Sequence, residues 1–559
     1  MFDLLIQNAR ICDGTDKPAW IGTLGVEGDR ITYIGQESGQ AAQRKIDADG
    51  LVLAPGFIDP HTHYDAQVAW DPLLTCSPWH GVTTVVMGNC GVGVAPVKPE
   101  SRDILLYDLV NIEDLSFDVM NAGVDWQWES FGEYLNVIDQ GGLGINVAGL
   151  VAFTPLRHYV MGEAAFERQA TPEEIEKMHR LMQEAMGQGA FGFSTSYMFR
   201  HLGYQGRPLA CRNASKEELI GLCRALRNTG RGAIQIVLNS GGYSLIKDED
   251  VDLLSLLTNE SGRPVTWLAL FARTGEPDFH KKTIDKMSLL LDRAIPQVTP
   301  RPMLLQDTLQ NPFEFASLDC WQPAINRSVE EQISLYKQAD FRAAFLEDLE
   351  GDERDEVWER IRVQDVTHPD LEHYRNRTIM EIADAEGKKP LDVYLDIGIA
   401  DNLSTRFQVQ AFNYDMDGVE RLVTEDKFMI GLGDGGAHVQ MLCDAGYATA
   451  LLEIWVRQRK ALTLEKAVQK LTSVPATLYG IPERGFLAPG KVADLVLFDP
   501  EKVSSKIPEY VSDFPLNSRR LVAKAEGIVA TFVAGKQLYD NGTHTGAMPG
   551  RVLRSYEQK

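Results

Sequence analysis

Two histidines one residue apart, at the end of an apolar run, are the first residues in this sequence whose types and spacing suggest chemistry. The run is GFIDPHTHYD at 56–65. On extended backbone, residues i and i+2 point to the same side. His61 and His63 can therefore present two imidazoles to one divalent cation. A second run, GLGDGGAH at 431–438, ends an apolar strand in Asp434 with glycines on both sides. A carboxylate there can ligate the same cation or act as general base on a water; the competing reading is a cap for the following helix. His438 stays open between ligation and packing. A third run, TTVVMGNCGVGVAP at 83–96, places Cys90 just after an apolar strand. A thiolate there would be a soft ligand suited to zinc. On spacing alone a small buried thiol is the better reading.

These side chains need a scaffold that brings distant loops to one place. Eight short apolar runs read as buried strands: Val52–Asp59, Thr83–Gly88, Ile145–Ala152, Gly189–Ser194, Ala233–Leu238, Val265–Phe271, Ile295–Val298 and Phe428–Leu432. Helical segments lie between most of them. Thr171–Gly187 opens with Pro and two Glu, and Ser215–Asn228 opens with SKEE, both good helix-entry chemistry. Such alternation predicts an α/β fold, a (β/α)8 TIM-type barrel, with His61, His63, Cys90 and Asp434 on one rim. Both chain ends read as short strands and turns, which predicts a small β-sandwich built from residues 1–58 and 485–559. The barrel then spans 59–484. About 130 residues separate strands seven and eight, too many for a simple loop. They predict a helical insertion at about 303–400, either a lid or an oligomer contact.

The remaining composition narrows the partners. The chain carries 79 acidic and 55 basic side chains, a formal charge of −24. Such a surface repels nucleic acid and anionic membrane, leaving a small-molecule substrate as the expected partner, with a homo-oligomer possible. Seven scattered cysteines without a CxxC pair read as reduced thiols and a cytoplasmic location. No secretory leader and no membrane-spanning run is expected. Candidate substrate contacts follow from the same rim. His201 and Arg200 lie in SYMFRHLGYQGRP at 196–208, Gln235 within strand five and Asn239 just after it, and Arg273 after strand six. An arginine there can clamp a carboxylate through two parallel hydrogen bonds; Arg207 and Arg212 are alternatives.

The segments LAPGFIDPHTHYD, HGVTTVVMGNCGVGVAP, GAFGFSTSY, LTSVPATLYGI, RGFLAPGKVADLVLFD and TGAMPGR together resemble the amidohydrolase superfamily, and within it the D-aminoacylases. The resemblance covers most of the chain outside the insertion. It implies a (β/α)8 barrel beside a β-sandwich, and a zinc site formed by His61, His63, Cys90 and Asp434. It also implies hydrolysis of a C–N bond, the amide of an N-acyl amino acid, with Asp434 as the catalytic base. The chain departs from that family at two positions. D-aminoacylases carry a histidine at the end of strand five and another at the end of strand six. Here those strands read GAIQIVLNSGG and VTWLALFARTG. One Zn2+ rather than two is therefore expected, with His201 or His280 as reserve ligands. The same scaffold could instead support a lyase or decarboxylase, a C–C or ester hydrolase, or a non-catalytic ligand-binding homologue.

Overall fold

The backbone changes partners at Gly56, and this switch separates the two sheet systems of the molecule. In the computed structural model of the chain, residues Val52–Pro55 pair with Phe2–Ile11 on one side and with Leu495–Phe498 on the other. Phe57–Asp59 pairs instead with Val82–Met87. Pro55 cannot extend a ladder as a donor. A β-carbon at Gly56 would lie 2.1 Å from the Thr83 Oγ1 atom, so only glycine passes here. The run expected as one strand over Val52–Asp59 is thus two short ones. The structure describes all residues except 37, 38, 40, 114, 115, 200, 241–244, 273–278, 311–314, 316, 317, 325, 326, 350–352, 558 and 559.

Strands from both chain ends meet, among the described residues, in one nine-stranded sheet. The strand Phe2–Ile11 lies inside it, and Ile528–Val533 and Lys536–Asp540 extend it beyond Leu495–Phe498. One face buries Leu4, Ile6, Leu24, Val26, Leu53, Leu495 and Phe532.

Eight parallel strands follow from Phe57 onward: β1 Phe57–Asp59, β2 Val82–Met87, β3 Asn146–Gly149, β4 Gly192–Ser196, β5 Ala233–Val237, β6 Val265–Leu268, β7 Ala294–Val298 and β8 Met429–Ile430. They form two sheets, β1–β2–β3 and a six-stranded sheet from the short strand Val151–Ala152 through β4, β5, β6 and β7 to β8. Only Leu150 separates β3 from Val151–Ala152. At the other extreme, an isolated parallel bridge joins Thr62 after β1 to Gly435 after β8. Each of the eight runs read from the sequence contains a strand, but Val52–Asp59 and Ile145–Ala152 are each divided between two sheets. The helices Pro172–Gly187 and Lys216–Thr229 both begin in full capping boxes, at Thr171 with Glu174 and at Ser215 with Glu218. These reciprocal bonds satisfy the first orphan N–H groups of each helix.

Residues 302–414 form a separate compact unit. It contains the expected helices, among them Val329–Tyr336, Ala339–Asp348, Ile379–Glu386 and Pro390–Ala400. It is not purely helical. Arg406–Phe412 pairs antiparallel with both Met303–Asp307 and Ile361–Asp365. RFQVQAF alternates apolar and polar residues, and its partners lie about 40 or more residues away in sequence, so local reading alone does not pair them. The unit has its own core, with Trp321, Tyr336, Phe345, Trp358, Tyr394 and Phe407 fully or almost fully buried. No helix among the described residues is long and apolar enough to cross a membrane.

Candidate metal centre

The backbone beyond β1 stays extended because β2 continues to hold it. Thr62 N–H and Thr62 Oγ1 both donate to Val86 O, at 3.0 and 2.9 Å. His63 N–H donates to Gly435 O at 2.7 Å. Thr62 is thereby directed toward β2, and its two neighbours turn their imidazoles to the opposite side. His61 Nε2 and His63 Nε2 lie 3.2 Å apart. Cys90 Sγ, three residues past β2, is 3.4 Å from the first and 3.8 Å from the second. The ligand atoms of these three buried residues lie within 4.8 Å of one another. Asp434 Oδ1 approaches from the imidazole side, 3.5 Å from His61 Nε2 and 3.9 Å from His63 Nε2.

The glycines around Asp434 have a steric cause. A β-carbon on Gly433 would lie 2.1 Å from Asp59 Oδ2, one on Gly435 would lie 2.6 Å from the Tyr64 hydroxyl, and one on Gly436 would lie 2.8 Å from His63 O. The segment after β8 lies directly on the segment after β1, and this contact carries Asp434 to the imidazoles. Both Cys90 and Asp434 hold positive φ, 57° and 42°. Such backbone in non-glycine residues is sparsely populated and persists where surrounding structure enforces it.

Electrostatics favour ligation. Burial holds the His61 imidazole well below the usual histidine range, and neighbouring His63 lowers it further. A neutral ring keeps a lone pair at Nε2 for a cation. Asp59, fully buried, is pushed well above the usual carboxylate range, chiefly by burial. Its Oδ1 accepts from His61 N–H at 3.1 Å.

The donor set fits a transition-metal ion. Imidazole nitrogens at about 2.0–2.1 Å and a thiolate at about 2.3 Å from zinc, at tetrahedral angles, stand about 3.3–3.6 Å apart. The three donors show 3.2, 3.4 and 3.8 Å. A thiolate with two imidazoles selects zinc-like ions over calcium or magnesium.

The other residues singled out from the sequence are distributed around this centre. Gln235, in β5 and fully buried, accepts the Cys90 N–H at 2.6 Å through Oε1. His201 Nδ1 pairs with Ser196 Oγ at 2.9 Å, and His201 and His438 both act electrostatically on His61. Asn239 is half-buried two residues past β5. His280 is buried in the helix Phe279–Met287. Arg200 and Arg273 lie outside the described residues. No histidine ends β5 or β6, so the departure read from the sequence stands in the structure.

Several residues of the site carried no assignment from the sequence. Asp59 lies inside the GFIDPHTH run. Asp65, Asn89 and Ser194 tie down the loop that bears Cys90. Gln297, fully buried in β7, lies beside His61. Its signal was present: a glutamine within AIPQV is a polar residue in an otherwise buried strand, and buried polar groups demand partners.

Known proteins resemble this chain over most of its length. The sequence profile of the Amidohydrolase family matches residues 44–539. The chain is 29% identical to a D-aminoacylase of Alcaligenes xylosoxydans xylosoxydans, covering 99% of this chain and 97% of that one. A solved D-aminoacylase structure, described for the functional role of its binuclear metal centre, superposes with a TM-score of 0.66 at 26% identity, covering 99% of this chain and 100% of the other. An N-acyl-D-glutamate deacylase of Bordetella bronchiseptica, complexed with zinc and a phosphonate mimic of the tetrahedral intermediate, gives 0.64 at 25% identity, with 99% of each chain covered.

Proposed function

We propose a function on the premise that this chain belongs to the amidohydrolase family: it hydrolyses the amide bond of a small N-acyl amino acid, with one zinc-type ion held by His61, His63, Cys90 and Asp434. The convergence of two buried imidazoles and a buried thiol, with the Asp434 carboxylate 3.5 and 3.9 Å from the two imidazoles, carries this reading. The two parallel sheets are read as parts of one eight-stranded barrel. The support is the single residue between β3 and Val151–Ala152, and the Thr62–Gly435 bridge at the other end. The full layout is a barrel over 59–484, interrupted by the 302–414 unit, beside a domain from residues 1–58 and 485–559.

An ion bound there supplies Lewis acidity, making water nucleophilic near neutral pH and polarising the amide carbonyl. The Asp434 carboxylate accepts a proton from the attacking water and returns it to the leaving nitrogen. His61 and His63 stay neutral and fixed. Gln235 Nε2, buried without an acceptor among the described residues, donates to a substrate oxygen, and His201, steadied by Ser196, faces the substrate from the loop after β4. Arg200, Arg273 and Asn239 complete the candidate substrate contacts. One ion rather than two follows from β5 and β6, which end without histidine.

The test is turnover by the zinc-loaded protein of a panel of N-acyl-D- and N-acyl-L-amino acids. Release of a free amino acid and a carboxylate, abolished by chelation and restored by Zn2+, supports the reading. Zinc-independent turnover, or no amide cleavage across the panel, contradicts it.

A further inference from the structure

Resting on the metal-site reading above, we propose that Gln235 is a positioning residue for the Cys90 ligand: from β5 it holds the peptide that aims the thiolate at the imidazoles. Cys90 sits at φ +57°, a conformation an L-residue does not keep without help. The loop around it is buried and is held by side chains from other elements. Gly88 N–H donates to Asp65 Oδ2 at 3.1 Å, and Gly91 N–H to Ser194 Oγ at 2.9 Å. Ser194 Oγ donates in turn to Gly88 O. Between these two anchors, the N–H of Cys90 itself goes to Gln235 Oε1 at 2.6 Å.

That bond settles how the amide lies. A backbone N–H can only donate, so the oxygen of Gln235 must face Cys90 and the nitrogen must face away. Gln235 is fully buried, and Ser194 and Thr266 are its ladder neighbours on the adjacent strands. The side chain therefore lies on the same interior face as Ser194, and both end on the Cys90 loop. The residue type is suited to the role. A carboxylate at this position would place a further negative charge beside the thiolate. A neutral amide accepts the N–H without that charge.

The experiment is cobalt titration of the purified full-length protein, reading the sulfur-to-cobalt charge-transfer absorption and the Co2+ affinity by chelator competition. Cys90→Ser supplies the spectrum without sulfur. Gln235→Met, of similar volume but with no acceptor at the amide position, is expected to shift or weaken the sulfur band and to bind Co2+ about 10–100-fold more weakly, the usual effect of losing an outer partner. Gln235→Glu keeps the acceptor and is expected to keep the band at saturating metal. A stability effect alone would lower the melting temperature without moving the band. Wild-type band and affinity in Gln235→Met would overturn the proposal. Should Gln235→Met fail to fold, loss of the band in Gln235→Glu would overturn it equally. A wild-type protein that takes up Co2+ without a sulfur band would remove the ligand reading, and this proposal with it.

Discussion

Replacing Gly433 by alanine isolates the contact that brings Asp434 to the imidazoles. The added methyl would sit 2.1 Å from Asp59 Oδ2. Ordinary contact begins near 3.4 Å, so one side must give by about 1.3 Å, a shift of the size that costs about a hundredfold in activity when it reaches a catalytic group. Asp59 cannot easily yield. It is fully buried, and its other oxygen accepts the His61 N–H. The segment after β8 therefore moves, and Asp434 Oδ1 moves from its 3.5 Å position beside His61 Nε2. The overpacking itself should cost about 1–3 kcal/mol of stability. Loss of one ligand's alignment should weaken metal affinity by about 10–100-fold, or roughly 1.4–2.8 kcal/mol. Chelator competition with Zn2+ measures the affinity, and thermal unfolding of the metal-free protein measures the packing cost. Gly433→Ala with unchanged zinc affinity and turnover would refute the claim that this glycine sets the position of Asp434.

Three further outcomes are expected. Asp434→Asn should lower kcat by about 10²–10⁴-fold while leaving substrate binding largely intact, in steady-state kinetics at saturating zinc. Glu218→Gln should destabilise the fold by about 3–5 kcal/mol in denaturant titrations, because it leaves Arg157, a fully buried guanidinium held by Glu218 Oε2 at 2.6 Å, without its counter-charge. Asp108 is buried, with one oxygen on Tyr204 N–H and the other without a partner among the described residues, and burial pushes its carboxyl from 3.8 up to about 7. Between those values the unfolded chain has released a proton that the folded chain keeps, so this group's contribution to stability falls as pH rises from about 4 to 7. Asp108→Asn should flatten that slope and raise stability above pH 7, read from melting temperatures across the range.

Much of the site was legible because its ligands sit in short motifs whose geometry is local. His61 and His63 share a side through strand alternation, and the glycines around Asp434 mark a close approach by residue type alone. Cys90 was harder. A lone cysteine after a strand has the same spacing whether it ligates or packs, and only the position of the His61 and His63 rings, 29 and 27 residues earlier, distinguishes the two. Gln235 and Gln297 were harder still, since a buried glutamine announces a need for partners without naming them. In the fold, the strands and capped helices were legible from apolar runs and from Ser/Thr–Glu pairs. The break at Gly56 was not, because it depends on Thr83 lying against it. The sheet at Met303–Asp307, Ile361–Asp365 and Arg406–Phe412 was missed for the same reason: its pairing is set by contacts distant in sequence.

X-ray absorption at the zinc edge of the reconstituted protein, combined with its zinc content, tests the central claim most directly. The account predicts one zinc per chain, with one sulfur scatterer at about 2.3 Å and nitrogen or oxygen scatterers at about 2.0–2.1 Å, the sulfur lost in Cys90→Ser. Two zinc ions per chain, or a zinc shell without sulfur in the wild type, would contradict it.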